Sequence, residues 1–294
     1  MSAVRASAVR SRLRVRPWQA DARIAHVSPA ADFLGPLSTR DVQRGVDQLR
    51  DQGYRSVITA ALHRADRRPF LETGFVETAR LHLLLHPLDD LASTAPPPGV
   101  DLRRGRRREQ EEALAVDRAA FEPFWRLDGA GLDEALTATT TVHFQVARDR
   151  SGVVGYAVCG RAGPRGYVQR LAVDPSGQGR GIGGALLLDG LRWLRRWGAR
   201  DALVNTQEDN ATSLRLYQRS GFVLQPDGLA VLQLHLAGDR GVTPGRESSS
   251  PRLAATPAHP AGLVARPTAD PPAGHPAGWP PPGAPAPHRP GGER

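Results

Sequence analysis

The chain of 294 residues contains no lysine, so all 39 of its basic side chains are arginine. Its only cysteine is Cys159, which excludes an intrachain disulfide and fits a cytoplasmic setting. No stretch approaches the run of about 20 apolar residues that a membrane helix needs, so we expect no membrane partner. Residues 1–16 lack the apolar segment of a secretory signal. We therefore predict a disordered basic start over residues 1–12.

The 30 acidic residues are outnumbered by the 39 arginines, and the formal net charge is +9. Such an excess ordinarily suggests nucleic-acid binding. The lack of lysine, together with abundant Ala, Gly and Pro, is however typical of a GC-rich genome, which accounts for part of the Arg excess. We expect a solvated Arg-rich surface and no nucleic-acid partner.

Large apolar residues become rare after Gly238, where Pro, Gly and Ala dominate. A segment of this composition cannot bury enough surface to offset its ordering entropy, so residues 238–294 are predicted to be disordered. Residues 93–98 (STAPPP) predict a linker. Two folded blocks remain, residues 13–92 and residues 99–237.

The two blocks share an internal repeat. Residues 44–75 match residues 189–222 in order, with Gly53 opposite Gly198 and Gly74-Phe75 opposite Gly221-Phe222. Both copies predict a helix, a strand and a second helix that lead into an apolar stretch. The matches run through the whole segment, which argues against coincidence.

The second block predicts the element order β-α-(α)-β-β-β-α-β-α-β-β. Its leucines within residues 183–197 have helical spacing, and its apolar runs of four to seven residues are typical of strands. The last two strands are expected to form a pair that ends near Leu236. This order predicts an α/β (α+β) fold, a mixed sheet with helices on both faces.

The stretch most informative about chemistry is residues 171–184, LAVDPSGQGRGIGG. A strand ends at Val173, and a glycine-rich loop then opens directly into a helix. Glycine lets the backbone approach a ligand, and the first N–H groups of a helix, with its dipole, form an anion site. Gln178 and Arg180 add donors. The spacing predicts a pyrophosphate cradle that fits neither the Rossmann fingerprint nor a P-loop, which needs lysine.

The segment Gln178-x-x-Gly181-x-Gly183 resembles the (Q/R)-x-x-G-x-(G/A) loop of the GNAT (GCN5-related N-acetyltransferase) superfamily. Residues 210–222 resemble the N-x-x-A-x-x-L-Y-x-x-x-G-F segment of the same family, with Ser213 where Ala is usual. The resemblance covers residues 99–237. It implies the GNAT fold and acetyl-CoA as a co-substrate, without a metal.

The resemblance also implies roles for individual residues. The backbone of the strand Leu171, Ala172 and Val173 would pair with the pantetheine arm, and the N–H of Val173 would polarise the thioester carbonyl. Asn210 would hydrogen-bond the pantetheine, and Tyr217 would protonate the departing thiolate. The remaining residues expected to contact CoA are Gln178, Gly179, Arg180, Gly181, Ile182, Gly183, Gly184 and Ser213.

The general base is left open by the sequence. Members of the family often place a Glu or an ordered water near the fourth strand, where this chain has Gln169. Further candidates by sequence neighbourhood alone are Glu122, Glu208 and Asp209. The aromatic residues that either shape an acceptor pocket or pack in the core are Phe121, Phe124 and Trp125.

The first block lacks the catalytic features of the second. Phe70 stands opposite Tyr217 and has no proton to give, and His63 stands opposite Asn210. We predict a truncated, non-catalytic GNAT-like half over residues 13–92 that packs against the catalytic domain or covers its acceptor side. An independent domain of another type is the alternative.

The function that the resemblance implies is transfer of the acetyl group of acetyl-CoA to a primary amine, by direct attack in a ternary complex. The acceptor is a protein N-terminus or a small-molecule amine, and both stay open. The alternative is a non-catalytic, acyl-CoA-sensing or nucleic-acid-associated protein of GNAT fold. A homodimer formed through the sheet edge is a further open possibility.

Overall fold

The computed structural model of the protein describes residues 12–19, 21–30, 36–91 and 95–236. The predicted tail lies outside these residues, as do residues 1–11 of the predicted start and residues 93–94 of the predicted linker. Within the described part, no helix combines the length and the apolar character needed to cross a bilayer.

The described residues form strands and helices in the following order along the chain. The strands are β1 (Leu13–Trp18), β2 (Asp21–Pro29), β3 (Ser56–Thr59), β4 (Val76–His86), β5 (Asp101–Arg104), β6 (Thr141–Asp149), β7 (Gly152–Ala162), β8 (Arg165–Val173), β9 (Asp201–Gln207), β10 (Val223–Leu224) and β11 (Leu229–His235). The helices are α1 (Thr39–Asp51), α2 (Arg64–Leu71), α3 (Gln110–Ala120), α4 (Gly129–Thr137), α5 (Ile182–Arg196) and α6 (Ala211–Arg219).

All these strands belong to one mixed sheet of order β1-β2-β3-β11-β4-β9-β8-β7-β6-β5, and β10 pairs with β4 beside this path. The β2–β3 and β8–β9 pairs are parallel, and the other pairs are antiparallel. The expectation of a mixed α/β sheet is confirmed. The element order predicted for residues 99–237 is also the order observed.

The prediction that the last two strands pair with each other is wrong, because both pair with β4, one after the other along the edge opposite β9. Val223 of β10 pairs with Leu85 near the end of β4, and Leu229 of β11 pairs with Leu81 in its middle. β4 is eleven residues long, so one half of it pairs with β11 while the other half pairs with β9 and β10. An apolar strand pattern fixes which face is buried but not which strand becomes the neighbour.

The two blocks thereby exchange strands within one sheet. β11, from the end of the second block, pairs with β3 of the first, with Gln233 opposite Ile58. The C-terminal half of β4, from the first block, pairs with β9 of the second, with Leu83 opposite Asn205. Each block therefore completes the sheet of the other.

The sequence repeat is also a repeat of geometry. Gly53 and Gly198 each follow a helix with φ of 85°, and Gly74 and Gly221 have φ of 90° and 91°. Phe70 meets Phe75 edge-on at 5.3 Å between ring centroids, and Tyr217 meets Phe222 in a similar edge-on arrangement at 5.5 Å. The α1-β3-α2 and α5-β9-α6 segments thus share their turns and an aromatic contact.

α5 is held on one face of the sheet by its leucines. Leu186, Leu187, Leu191 and Leu194 are fully buried against β7, β8 and β9 in the largest apolar cluster. Each buried leucine contributes on the order of 2 kcal/mol. α3 and α4 cover the other face of the sheet over β6 and β7. The sheet is therefore enclosed on both faces where β8 passes through it.

Candidate functional site

A gap opens between β8 and β9. The two parallel strands pair only at their beginnings, where Arg165–Tyr167 lie opposite Asp201–Leu203. Beyond Tyr167, β8 stays paired with β7, and β9 stays paired with β4. The edge of β8 over residues 168–173 therefore presents backbone groups that the neighbouring strand does not use. Backbone groups of this kind bind an extended partner by adding to the sheet.

A β-bulge marks the point where the gap begins. On β7, Val158 pairs with Arg170 and Cys159 pairs with Val168, so Gln169 is the extra residue of β8. A bulge bends its strand and increases the local twist. It therefore separates β8 from β9 without breaking the β7–β8 pair.

The glycine loop follows directly at the end of β8. The Asp174 carboxylate accepts hydrogen bonds from the backbone N–H and the hydroxyl of Ser176, at 2.9 and 2.5 Å. The Gln178 amide donates to the carbonyl of Val173 at 3.1 Å. Gly181 caps α5 in the left-handed conformation, with φ of 85°. The loop thus turns back below β8. As a result, the first N–H groups of α5 face the end of the gap.

A cleft of about 290 Å³ lies at this place, between the glycine loop, the end of β8 and the start of α6. The predicted CoA-contacting residues that line it are Leu171, Ala172, Val173, Gln178, Gly179, Gly181, Ile182, Gly183, Gly184 and Ser213. The cleft is also lined by residues without a predicted role toward CoA, namely Ala120, Phe121, Gly177, Thr212, Leu216 and Arg219. The structure thus brings the predicted strand and loop together on one surface.

Three predicted residues do not line this cleft. The Arg180 guanidinium lies 3.8 Å from the carboxylate of Asp149. Asn210 is fully buried, and its side chain caps α6 by accepting a hydrogen bond from the N–H of Ser213 at 3.0 Å. Tyr217 is fully buried in the apolar cluster beneath α5. Burial raises the pKa of the Tyr217 phenol, so this side chain keeps its proton.

Four of the ten buried polar atoms that lack a protein partner in the described residues belong to Gln169 of β8, to β9 and to the start of α6. They are Gln169 Oε1 on β8, Asn205 Oδ1 and Thr206 Oγ1 on β9, and Asn210 Nδ2 at the start of α6. Proteins leave few such atoms unsatisfied, because each costs about 1–3 kcal/mol. A ligand in the gap would supply partners to those on β8 and β9.

A buried ion pair lies on the opposite side of β8 from α5, and sequence reasoning missed it. The Arg170 guanidinium donates two bonds to the Asp117 carboxylate on α3, at 2.7 and 2.8 Å. Asp117 also accepts from the Tyr156 hydroxyl at 2.5 Å and the Leu127 N–H at 2.7 Å. The one available signal was an aspartate on the apolar face of a predicted helix, since Ala113, Leu114, Val116 and Ala120 share that face.

The sequence candidates for the base do not converge on the cleft. Glu122, Glu208 and Asp209 are exposed, and none of them lines it. Gln169 is buried, and its amide nitrogen contacts the Thr139 hydroxyl at 3.4 Å. In the described part of the chain, no group of three His, Cys, Asp or Glu side chains lies close enough to hold a metal ion.

The three aromatic candidates separate. Phe121 lines the cleft and lies under the Arg170 guanidinium, 3.7 Å from it. Phe124 packs against Trp18 at 5.4 Å, and Trp125 lines a second, smaller cavity between the two blocks. Phe121 and Trp125 therefore line different cavities, and Phe124 lines neither of them.

Known proteins resemble the chain in sequence. Residues 107–222 match the model of the acetyltransferase (GNAT) family. A mycothiol acetyltransferase of Amycolatopsis mediterranei is 33% identical over 200 residues, which cover 61% of this chain and 65% of that protein. Another from Geodermatophilus obscurus is 34% identical over 162 residues, which cover 49% and 53%. The matches thus span between about half and two thirds of these relatives.

Solved structures show the same fold. A tandem GNAT protein from the clavulanic acid biosynthesis pathway aligns with a TM-score of 0.55 and 13% identity, over 75% of this chain and 77% of that one. A GCN5-related N-acetyltransferase from Sphaerobacter thermophilus aligns with a TM-score of 0.51 and 19% identity, over 72% of each chain. Residues 107–222 therefore belong to the acetyltransferase (GNAT) family, and the chain has the fold of that family.

Proposed function

We propose that the protein transfers the acetyl group of acetyl-CoA to the primary amine of a small molecule, by direct attack in a ternary complex. The observation that carries this proposal is the gap between β8 and β9, which ends at the glycine loop and is bordered by unpartnered polar atoms. The family match over residues 107–222 supports it.

The glycine loop suits the pyrophosphate of CoA. A methyl group on Gly183 would lie 3.6 Å from Leu216 and from Val173, which is ordinary contact. The chain's own packing therefore does not demand glycine at this position. The bare backbone instead leaves the N–H groups at the start of α5 accessible, and the helix dipole favours an anion there.

Val173 is suited to polarise a thioester carbonyl. The next N–H, of Asp174, donates to the Val154 carbonyl on β7 at 2.9 Å. Since successive N–H groups of a strand point to opposite edges, the N–H of Val173 points into the gap. In that place it stabilises the charge that develops on the carbonyl oxygen.

The reaction needs one proton delivered and one removed. The amine nitrogen bonds to the carbonyl carbon, the C–S bond breaks, and the sulfur leaves with the electron pair. The amine loses a proton to water, the thiolate gains one from the Tyr217 hydroxyl, and the phenolate that this leaves regains its proton from water in this proposal. Burial, followed by the neighbouring Cys159, raises the pKa of Tyr217 and keeps it protonated. Burial of the leaving thiolate raises its proton affinity in the same direction.

A small acceptor is favoured over a protein N-terminus. The curated relatives reported above carry the name mycothiol acetyltransferase, which is a small-molecule activity of those proteins. The first block also contacts residues 123–126 of the second. The Gln19 amide donates to the carbonyls of Pro123, Phe124 and Arg126 at 2.8, 2.9 and 3.0 Å. We propose that the first block is a non-catalytic GNAT-like half that covers the acceptor side of the second block.

Replacing Tyr217 by Phe tests the proposed chemistry. The ring should still pack, because Phe70 makes the matching contact with Phe75 in the other copy. We expect kcat to fall about 100-fold, since the proton donor is lost, while the Kd for acetyl-CoA stays within about twofold. The assay detects the N-acetylated product of a panel of small amines by mass spectrometry.

The outcomes of this assay separate the alternatives. An unchanged kcat in Tyr217→Phe would assign proton delivery to another group. A wild-type protein that binds acetyl-CoA but acetylates no amine would favour the non-catalytic, acyl-CoA-sensing alternative.

A further inference from the structure

Among the described residues that line the cleft at the glycine loop, Arg219 in the last turn of α6 is the charged one. The other side chains that α6 contributes to the lining are those of Thr212, Ser213 and Leu216. Arg219 is exposed, and in the part of the chain that the structure describes no carboxylate forms an ion pair with it. An arginine that faces a cleft without an acidic partner is suited to an anionic group of a ligand.

α6 runs along the cleft and away from the gap. Its first turn follows directly on β9, which borders the gap. Thr212, Leu216 and Arg219 follow one another at intervals of about one helical turn, so they form one stripe that faces the cleft. Leu216 lies against the glycine loop, because a methyl group on Gly183 would be 3.6 Å from it. Arg219 lies three residues further along the helix, a rise of about 4.5 Å.

The first block shows how far a side chain at the position of Arg219 reaches. Continuing the repeat places Glu72 opposite Arg219 and Thr39 opposite Gly184. Thr39 is the first residue of α1, and its hydroxyl donates a hydrogen bond to the Glu72 carboxylate. The corresponding Gly184 lies in the first turn of α5 and lines the cleft together with Arg219. A side chain at this position therefore reaches the N-terminal end of the helix that precedes it in the repeat.

The charge at this position is opposite in the two copies. In the first block, Glu72 brings a carboxylate to the start of α1, and Arg68 holds that carboxylate at 2.7 Å. The helix dipole favours a negative charge there. The first copy thus supplies the anion at its helix N-terminus from its own chain. In the second block, Arg219 adds a positive charge at the equivalent place, which favours an anion that comes from a ligand.

Acetyl-CoA presents two kinds of phosphate to such a cleft. The pyrophosphate carries a single negative charge on each phosphorus, and the backbone N–H groups at the start of α5 suit it. The phosphate monoester at the nucleotide end carries a charge of about −1.5 to −2 at neutral pH, and a guanidinium binds such a group strongly. The monoester is at the opposite end of the molecule from the thioester. It therefore belongs beyond the glycine loop as seen from the gap, on the side where Arg219 lies.

We propose that Arg219 binds the phosphate monoester at the nucleotide end of acetyl-CoA and thereby selects CoA over dephospho-CoA. This inference rests on the proposed function and adds a determinant of co-substrate specificity to it. Dephospho-CoA has the same pantetheine arm and the same pyrophosphate, so it makes the same contacts with β8 and with the glycine loop. The difference in affinity between the two ligands therefore measures the contact of Arg219.

Calorimetric titration with CoA and with dephospho-CoA tests the assignment without relying on catalysis. We expect the wild type to bind CoA about 10-fold more tightly than dephospho-CoA. In Arg219→Gln the Kd for CoA should rise about 10-fold while the Kd for dephospho-CoA stays within about twofold, so the preference disappears. Arg219→Lys keeps the charge and should retain at least about a third of the preference.

Arg215→Gln is the matched control. Arg215 is also exposed on α6, but it does not line the cleft, and its guanidinium contacts the Thr212 hydroxyl at 3.4 Å. The variant removes the same charge from the same helix, and both Kd values should stay within about twofold of wild type. An equal loss of preference in Arg215→Gln would assign the effect to the overall charge of α6 and overturn the proposal. Circular dichroism melts check that each variant is folded.

The remaining outcomes separate this inference from the function on which it rests. If the wild type binds CoA and dephospho-CoA equally well, the assignment of Arg219 is overturned and the proposed function stands. If Arg219→Gln weakens both ligands equally, Arg219 acts on the pyrophosphate and the assignment is likewise overturned. If the wild type binds neither ligand at millimolar concentration, the proposed function fails and the assignment fails with it.

Discussion

Asp117 and Asn205 are both buried polar residues, but they differ in whether the protein supplies their hydrogen-bond partners. The Asp117 carboxylate accepts bonds from Arg170, Tyr156 and the Leu127 backbone, so its charge is fully used. Asn205 Oδ1 has no partner in the protein. A satisfied group holds the fold together, whereas an unsatisfied one beside a gap is available to a ligand.

His26 provides a pH-dependent test at the level of a single residue. Burial, and then the nearby Arg16, lowers the pKa of His26 to about 3, so the folded protein keeps it neutral. Below about pH 6.5 the unfolded chain binds a proton that the folded chain does not, so the free energy of unfolding falls as the pH falls. This side chain alone should remove about 2 kcal/mol between pH 7 and pH 5.

In the variant His26→Phe, the free energy of unfolding should decrease by about 2 kcal/mol less between pH 7 and pH 5 than in the wild type. The phenyl ring keeps the stack on Trp18, whose centroid lies 5.4 Å from that of His26, and it carries no titrating group. Urea unfolding of both proteins at pH 7 and pH 5 measures the difference. An identical pH dependence in the two proteins would contradict a neutral, buried His26.

The placement of residues around the cleft was predictable where a short motif specifies it. The positions from Gln178 to Gly184 were found because glycine spacing before a helix directly encodes an anion site. Gln169 stood out only as the residue present where a base was sought. The Arg170–Asp117 pair joins residues 53 positions apart, so no local pattern indicates it.

At the scale of elements, α3 is fixed to β8 by that buried pair. Asp117→Asn removes the charge partner and leaves the Arg170 guanidinium buried, so we expect a loss of about 3–5 kcal/mol in the free energy of unfolding. Asp201→Asn is the matched control. Asp201 makes the same two-bond pair with Arg165 on β8, but the two side chains are 24% and 38% exposed.

The control variant should lose less than about 1 kcal/mol, because solvent screens a pair that is partly exposed. Urea denaturation with a common slope compares the two variants. Equal losses would contradict the view that burial makes the Arg170 pair a structural anchor.

Elements themselves were largely predictable, but their neighbours were not. The element order over residues 99–237 follows from period-two and period-3.6 patterns. β4 and β11 are both apolar strands, and nothing in the local sequence of either one specifies that it pairs with a strand of the other block. The gap depends on a register shift at Gln169, which only the strand pairing reveals.

At the scale of the whole molecule, the strand exchange makes the two blocks one cooperative unit. β4 of the first block lies between β11 and β9 of the second. Cutting the chain in residues 93–98 with an inserted protease site should therefore leave two fragments that co-elute in gel filtration and unfold in one transition. Fragments that separate without denaturant would contradict the exchange.

The same exchange bears on the role of the first block. Its β1–β2 turn holds residues 123–126 through Gln19, and its Trp18 packs on Phe124. In the proposed function this block forms a wall of the acceptor pocket, so it contributes to catalysis without a reacting residue of its own. Substitutions at Gln19 therefore act on the acceptor side of the reaction.

Calorimetric titration with acetyl-CoA of the wild type and two matched variants tests the central claim most directly. Gly181 and Gly198 flank the two ends of α5, both with φ of 85°, so a glutamate at either one adds the same charge and a similar strain. We predict micromolar binding to the wild type, a Kd within about threefold in Gly198→Glu, and at least about 100-fold weaker binding in Gly181→Glu, where a carboxylate meets the pyrophosphate. Equal affinities in all three proteins, or no binding to the wild type at millimolar acetyl-CoA, would contradict the assignment of the glycine loop.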